Sequence, residues 1–182
     1  MLRMSKLADY ATVIMITMAR DPQAVKTAGS LAETTGIPAP TVSKVMKMLT
    51  RGGVLVSVRG VSGGYQLPLP PQRITLSDVI AAVDGPFGMT ECSALPGLCT
   101  QEAVCSARAN WQKVNRLIFD ALRQVSLADM AGPTLSEGDI SAIHARRLLP
   151  LAHPGIGQRR VIPVSPASQQ HRGRTVESGG QA

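Results

Sequence analysis

The sequence predicts a mainly α-helical protein: a winged helix-turn-helix with a β-hairpin wing and a long C-terminal dimerisation helix. Of the 182 residues, 44% are hydrophobic but only 3% are aromatic, so aliphatic and methionine side chains have to form the core, which suits packed helices. The N-terminal part follows the order helix, helix, turn, helix, hairpin, which is that of a winged helix-turn-helix. A later apolar helix has too little chain around it to be covered, and a symmetric dimer supplies that cover.

The first two helices are predicted from apolar spacing and from residues that cap helix ends. The first helix spans residues 5–20 and ends before Pro22. Its apolar side chains recur at intervals of three and four residues: Leu7, Ala11, Ile14, Met15 and Met18. The second helix spans residues 27–35, with Thr27 or Ser30 as its cap and a capping-box pattern at residues 30–33, and Gly36 turns the chain out.

A third helix is predicted to begin near Pro40, a residue tolerated in a first turn, and to end at Arg51 before two glycines. Its predicted buried side chains are Val42, Val45, Met46 and Leu49. Its opposite face carries short polar groups and cations, namely Thr41, Ser43, Lys44, Lys47 and Arg51. Such groups meet phosphates and base edges in DNA, whereas a merely solvated basic face is the alternative.

A hairpin wing is predicted from two β-prone runs, residues 54–59 and 65–67, around a glycine-rich turn at residues 60–64. For Gly63 and Gly64 the alternative is a hairpin turn that needs positive φ and nothing more, a role compatible with a wing. Arg59 is predicted to reach the minor groove, the alternative being an ordinary exposed arginine. The wing residues predicted to contact DNA are therefore Arg59, Ser62 and Gly63.

The net charge of +7 is spread unevenly along the chain. Residues 1–73 carry nine Lys or Arg against three acids, residues 74–132 carry four against six, and residues 133–182 carry six against three. No acid occurs in residues 34–77, which include the third helix and the wing. This asymmetry predicts double-stranded DNA as the partner, and an interaction protein that does not bind DNA is the alternative.

The rest of the chain divides into a cysteine-bearing segment and a tail. Thr75 is expected to cap a helix that ends at Asp84. Residues 88–100 lack periodicity and indicate a binding loop. A helix with an apolar stripe is predicted over residues 102–125, with Trp111 in the core. Beyond a short helix near residues 140–149, the tail is predicted to be largely disordered. The predicted divisions are residues 1–73 for the DNA-binding domain, residues 74–131 for the cysteine loop and dimerisation helix, and residues 132–182 for the tail.

No segment is predicted to enter a membrane. The apolar stretch at residues 11–19 is too short to span a bilayer and is flanked by Asp9, Arg20 and Asp21. The N-terminus has no pattern of a secretory signal. A cytoplasmic protein with no membrane partner is therefore expected.

Cys92, Cys99 and Cys105 are the residues most suited to carry chemistry. An odd number of cysteines in a reducing compartment is a poor disulfide framework, which favours metal or redox chemistry. The gaps of six and five residues between them are wider than those of common structural zinc sites. A loop can direct all three thiolates toward one iron-sulfur cluster, while bound zinc and inert thiols are the alternatives.

The positions of the histidines limit which group can be a fourth cluster ligand, and they argue against a cysteine-dependent enzyme. All three histidines, His144, His153 and His171, lie in the tail. A fourth ligand therefore has to be an exogenous group, a group from the other subunit, or an oxygen donor such as Asp9, Glu91 or Glu102. The alternative for Asp9 is an ordinary first-turn helix residue, and the two glutamates are expected to be solvated. A nucleophilic cysteine would lack a base, so neither an enzyme nor a small-molecule substrate is expected.

Four stretches of the sequence resemble a known family. They are Lys-Leu-Ala-Asp-Tyr-Ala at residues 6–11, Val-Arg-Gly-Val-Ser-Gly-Gly-Tyr at residues 58–65, Thr-Glu-Cys through the third cysteine at residues 90–105, and Asn-Trp-Gln at residues 110–112. Over roughly residues 1–131 the chain resembles the Rrf-two family of winged-helix regulators. Within that family it is most similar to the branch that controls the SUF operon for iron-sulfur cluster assembly.

The resemblance implies a role for each of these regions. In the family, the third helix enters the major groove, the wing arginine reaches the minor groove, and the helix after the cysteines forms the dimer. The resemblance implies that Thr41, Ser43, Lys44 and Lys47 contact the major groove and that Arg59 contacts the minor groove. It also implies that residues 111–125 form the dimer interface. The cluster ligands fall on Cys92, Cys99 and Cys105.

The chain also departs from the family pattern. Some members place a histidine ligand three residues after the last cysteine, where this chain has Arg108. Others take an aspartate from the first helix of the opposite subunit, and Asp9 stands at that position, which makes it the preferred fourth ligand. The family has 2Fe-2S and 4Fe-4S members, and the 2Fe-2S form is favoured here. Pro40 and Ser43 differ from the best-known branch, so the operator sequence is not predicted.

The predicted protein is thus a homodimeric DNA-binding transcription regulator, a repressor of SUF genes that senses cluster or redox status through a bound iron-sulfur cluster. One alternative is a winged-helix DNA-binding protein with structural zinc or redox-active thiols and no cluster. Another is a regulator of other genes that responds to nitric oxide or redox state.

Overall fold

The computed structural model describes residues 4–95, 97–133 and 136–146. These residues form helices, one antiparallel two-stranded hairpin and a 3-10 turn at Pro71–Arg73. In chain order the elements are α1 Lys6–Ala19, α2 Ala28–Thr35, α3 Ala39–Arg51, β1 Val56–Val58, β2 Gly64–Gln66, α4 Leu76–Asp84, α5 Glu91–Ala94, α6 Arg108–Gln124, α7 Leu127–Ala131 and α8 Glu137–Arg146. The predicted fold class, mainly helical with a hairpin wing, is confirmed.

The core of the head surrounds α1, which packs against α2, α3, α4 and α7. Its inward side chains Ile14, Met15 and Met18 are at most 1% exposed, and Met46 and Leu49 of α3 meet them from the other side. Burying a side chain of this size stabilises the fold by about 1.5–3 kcal/mol. The core is aliphatic and methionine-rich, as the shortage of aromatic residues predicts.

Three helices begin at side-chain caps close to the predicted positions. Ser5 accepts from the backbone N–H of Ala8 at 3.0 Å, and Thr75 forms a capping box with Asp78. The capping box of α2, however, is formed by Thr27 and Ser30, so the prediction of one at residues 30–33 is wrong. Thr27 has the extended backbone that a cap requires, whereas Ser30 already lies within the helix.

The helix after the cysteines begins later than predicted. It starts at Arg108 instead of residue 102, and turns occupy residues 100–104 and 106–107. The Glu102 carboxylate bonds to Gly97 and Arg108, which keeps this stretch folded back on itself, and Val104 is 79% exposed outside the helix. The segment predicted as an aperiodic loop also contains one helical turn, α5.

The chain returns to the head after α6, which the sequence did not predict. Leu76 N–H donates to Val125 O, and Leu127 N–H donates to Ile74 O, both at 2.8 Å. Ser126 caps the short helix α7, whose Leu127 is fully buried in the core. The division of the chain at residues 73 and 131 stays a prediction, and the core of the head includes residues from beyond residue 73.

The last described element, α8, overlaps the helix predicted near residues 140–149. It contacts α6 and buries Ile143. Most of the predicted disordered tail, residues 147–182, lies outside the described residues. Within the described ranges, no helix is both long and apolar enough to cross a membrane.

Candidate functional site

Helix α3 has one fully buried face and one face open to solvent. Val42, Val45, Met46 and Leu49 are fully buried, as predicted. On the other side Lys44, Lys47 and Arg51 are exposed, and Thr41 and Ser43 are partly buried. None of the three cations pairs with a carboxylate among the described residues. The exposed face is therefore a row of uncompensated positive charge.

The wing is a short antiparallel hairpin in which Val56 pairs with Gln66 and Val58 pairs with Gly64. Arg59 and Ser62 lie exposed in its turn, and Gly63 is partly buried. The positive φ of the turn occurs at Gly60 (+121°), so the alternative of positive φ at Gly63 and Gly64 is wrong. A Cβ on Gly63 would lie 2.6 Å from Val58 O, so close backbone approach is the reason for a glycine there.

A bridge from the α1–α2 connection holds the base of the wing. Lys26 N–H donates to Tyr65 O at 2.9 Å, and Tyr65 N–H donates to Lys26 O at 2.8 Å. Gln66 Nε2 donates to Gln23 O at 2.9 Å. No sequence pattern predicts this bridge, because a single residue has no periodicity. It fixes the wing to the head and so to α3.

Gly64 is where this anchor is most sensitive to substitution. A Cβ on Gly64 would lie 2.6 Å from Lys26 O, which is backbone and cannot move aside freely. Gly64→Ala is expected to lower the free energy of unfolding by about 1–3 kcal/mol, the usual cost of overpacking. Chemical denaturation measures this change.

Gly29→Ala is the matched control for that substitution. The nearest atom to a Cβ on Gly29 is Thr27 Oγ1 at 3.8 Å, and the residue lies in α2. Alanine should therefore leave the stability unchanged or raise it by up to about 1 kcal/mol. Equal stability of the two variants would contradict the close approach at the wing.

The three cysteines lie on one segment but differ in their surroundings. All are free thiols: Cys92 is buried in α5, and Cys99 and Cys105 are partly buried next to the turns that follow. Cys92 Sγ lies 3.3 Å from Thr90 Oγ1. In the described part of the chain, no three His, Cys, Asp or Glu side chains come together as a group that could hold a metal ion. Asp9 is an exposed residue in the first turn of α1.

The donor set of this segment nevertheless fits a thiolate-bound metal or iron-sulfur cluster in its chemistry. Three free thiols stand within fourteen residues, and the buried Nε of Arg108, just after them, has no acceptor among the described residues. Thiolates are the usual protein ligands of iron-sulfur clusters. Because the described conformation does not gather the three thiols, binding such a group requires the segment to close around it.

Glu102 and Trp111 are placed differently from their predictions. The Glu102 side chain is only 12% exposed and pairs with Arg108 Nη2 at 2.6 Å, so the prediction of a solvated glutamate is wrong. Glu91 is exposed as expected. Trp111 is 40% exposed on α6, so its prediction as a core residue is wrong within one chain.

One side of α6 is apolar and uncovered. Trp111, Val114 and Leu117 are all exposed, and α6 buries none of its residues. The contacts of this helix are with α4, α5 and α8 of its own chain. A helix whose apolar side remains in water needs a further partner.

The comparison with known families decides the class of the protein. A profile of the Rrf2 family, described as an iron-dependent transcriptional regulator, matches residues 4–133. The chain belongs to the Rrf2 family. The resemblance to the family drawn from the sequence is thereby confirmed, while the SUF branch stays a prediction, and α8 lies beyond the matched Rrf2 region.

Relatives and solved structures agree with the Rrf2 assignment. The HTH-type transcriptional regulator IscR of Vibrio cholerae is 26% identical over 152 residues, which cover 83% of this chain and 85% of that protein. CymR, the global cysteine regulator of B. subtilis, is similar with a TM-score of 0.57 and 26% identity, covering 72% of this chain and 97% of that one. T. potens IscR gives a TM-score of 0.54 and 26% identity, covering 71% and 85%.

These Rrf2 relatives are transcriptional regulators, a class of protein without enzymatic activity. The chain is accordingly a helix-turn-helix transcription regulator that binds DNA, and not an enzyme. Within the winged-helix fold, the exposed face of α3 and the wing turn are the described surfaces that suit this task. The roles of the individual residues on them stay predictions.

Proposed function

We propose that this Rrf2 regulator binds operator DNA as a homodimer and represses SUF genes for iron-sulfur cluster assembly according to the state of a bound cluster. The observation that carries the proposal is the presence, on one short chain, of an uncompensated cationic helix face and three free cysteines. The first suits a polyanion, and the second suits a thiolate-bound cluster.

The DNA surface combines α3 with the wing. Lys44, Lys47 and Arg51 are exposed and free of carboxylate partners within the described residues, so they can neutralise phosphates without breaking an ion pair. Thr41 and Ser43 offer short hydrogen-bonding groups for base edges in the major groove. Arg59, with Ser62 and Gly63 at the wing turn, reaches toward the minor groove.

The dimer forms through α6. Its exposed residues Trp111, Val114 and Leu117 are large and apolar, and a second copy of the same face covers them by two-fold symmetry. Dimerisation also presents two α3 helices to two half-sites of one operator, which multiplies the number of phosphate contacts.

Cys92, Cys99 and Cys105 hold the cluster, with Asp9 from the opposite subunit as the fourth ligand. When bound, the cluster supplies sensitivity to iron, oxidants and nitric oxide, and the 2Fe-2S form is the favoured one. The exposed position of Asp9 on α1 leaves its carboxylate available to another chain. A ligand of this kind makes cluster binding depend on dimerisation.

A continuous path of packed helices connects the cysteine segment to α3. Helix α5 contacts α6, α6 contacts α4, and α4 contacts α3. Just after α3, a Cβ on Gly52 would lie 2.5 Å from the Ala82 Cβ of α4, so the two elements pack closely enough to require a glycine there. Closure of the cysteine segment around a cluster would shift α6 and α4, and through them the α3 helices.

One observation favours a second candidate function. The three thiols are not gathered in the described conformation, which suits cysteines that react singly with oxidants and hold no cluster. In that case the protein is a redox-responsive regulator of the same fold, with the same DNA surface.

The proposed function is tested by selecting genomic DNA fragments with the purified dimer, both cluster-loaded and cluster-free, and measuring their affinities by fluorescence anisotropy. The expected result is selection of fragments upstream of SUF genes, with affinities that differ between the two forms. Selection of unrelated promoters, or equal affinities, would contradict the target or the sensing role respectively.

A further inference from the structure

The side chain of Arg108 carries one hydrogen-bond donor that its surroundings leave unused. Its Nη2 pairs with Glu102 Oε1 at 2.6 Å, but its Nε–H is buried and has no acceptor among the described residues. A buried donor without an acceptor is rare, because it has lost its hydrogen bond to water and gained none. Such an atom indicates an acceptor that the described residues of the chain do not supply.

Arg108 is held in place from two sides. Its backbone N–H donates to Cys105 O at 3.3 Å, at the start of α6. The Glu102 carboxylate that pairs with it also accepts from Gly97 N–H at 2.6 Å and is itself largely buried. The side chain of Arg108 is 40% exposed as a whole, and the ion pair holds its buried Nε beside the segment that carries Cys99 and Cys105.

The chemistry of the missing acceptor follows from this position. Arginine has no lone pair to offer a metal and acts only as a cationic donor. Thiolate and sulfide sulfurs accept hydrogen bonds, and such bonds, together with nearby charge, set the reduction potential of a cluster. An anionic sulfur group next to Cys105 therefore matches both the charge of Arg108 and its free donor.

We propose that Arg108, positioned by Glu102, donates a charged hydrogen bond from Nε to a sulfur of the cluster bound by the cysteine segment and thereby raises the reduction potential of the cluster. This inference rests on the proposed cluster function. It assigns a tuning role to a residue that cannot be a ligand.

The test is an anaerobic redox titration of Arg108→Gln, followed by visible absorbance. A cation and a donor stabilise the reduced, more negative form of a cluster. Their loss is expected to lower the equilibrium constant for reduction about tenfold, which is a shift of about 59 mV to more negative potential for a one-electron couple. Arg116→Gln removes the same charge from an exposed position about two turns further along α6 and should leave the potential near that of the wild type.

Arg108→Lys separates the donor from the charge, because lysine keeps the charge without the Nε–H. Its potential should lie between those of the wild type and Arg108→Gln. If Arg108→Gln does not retain a cluster, the test rests on the reduction potential of Arg108→Lys. A potential more negative than that of the wild type supports the inference, and a potential equal to it overturns the inference.

Two further outcomes separate this inference from the function on which it rests. A loaded wild-type protein whose potential is unchanged in Arg108→Gln, or shifted equally in Arg116→Gln, overturns the inference alone. A wild-type protein without iron and sulfide overturns the proposed cluster, and this is seen before any variant is compared.

Discussion

Leu117→Asp is expected to separate the dimer into monomers and to weaken binding to the selected operator fragment at least about a hundredfold. Leu117 is 52% exposed on the apolar side of α6, next to Val114, so the substitution does little to the isolated chain. In the dimer it would bury a carboxylate in an apolar interface, at a cost of several kcal/mol. A loss of about 2.8 kcal/mol corresponds to a hundredfold in affinity. Sedimentation velocity and fluorescence anisotropy measure the two effects.

Gln112→Asp is the matched control, because it adds the same charge to an exposed polar position of the same helix. It should remain dimeric and bind DNA nearly as the wild type does. A Leu117→Asp protein that stays dimeric would contradict the assignment of the interface to α6. A monomeric variant with full affinity would contradict the need for two α3 helices.

The double variant Lys44→Ala/Lys47→Ala is expected to weaken DNA binding of the dimer by at least about 10- to 100-fold and to reduce the slope of log affinity against log salt by about 4. Both side chains are exposed on α3 and lack a carboxylate partner within the described residues. Each phosphate contact releases counterions, so losing two contacts on each of the two α3 helices reduces both the affinity and the slope. Anisotropy titrations at several salt concentrations measure the slope.

Lys113→Ala/Arg116→Ala removes the same charge from exposed positions on α6. This control should leave the salt slope nearly unchanged, because α6 is not part of the proposed DNA surface. Equal losses in the two double variants would show that only net charge matters. That result would contradict α3 as the recognition helix.

The head was predictable because local signals and global packing agree there. Thr75 and Gly36 occur where helix ends need them, and the stripe of α1 matches its buried face. The hairpin fold of the wing was also predictable, although its glycines are needed for reasons that the sequence does not reveal. The turn takes its positive φ at Gly60, and Gly63 is required by close backbone approach, which only three-dimensional neighbours reveal.

The parts that could not be predicted depend on contacts between distant residues. Helix α7 is too short for a periodic signal, and its place in the core depends on bonds that join Ile74 to Leu127. Nothing in the sequence distinguishes Glu102 from a solvated residue, yet it pairs with Arg108, and α6 begins only at that arginine. The spacing of the cysteines indicated a binding segment, but spacing alone does not say whether the free chain gathers them.

The central claim, a cluster on Cys92, Cys99 and Cys105, is tested most directly by quantifying iron, acid-labile sulfide and zinc per chain after anaerobic purification, together with the visible spectrum. The account predicts iron and sulfide in equal amounts and visible absorption bands in the wild type, and their loss in Cys92→Ser, Cys99→Ser and Cys105→Ser. A colourless wild-type protein that contains zinc alone, or no metal, would contradict it.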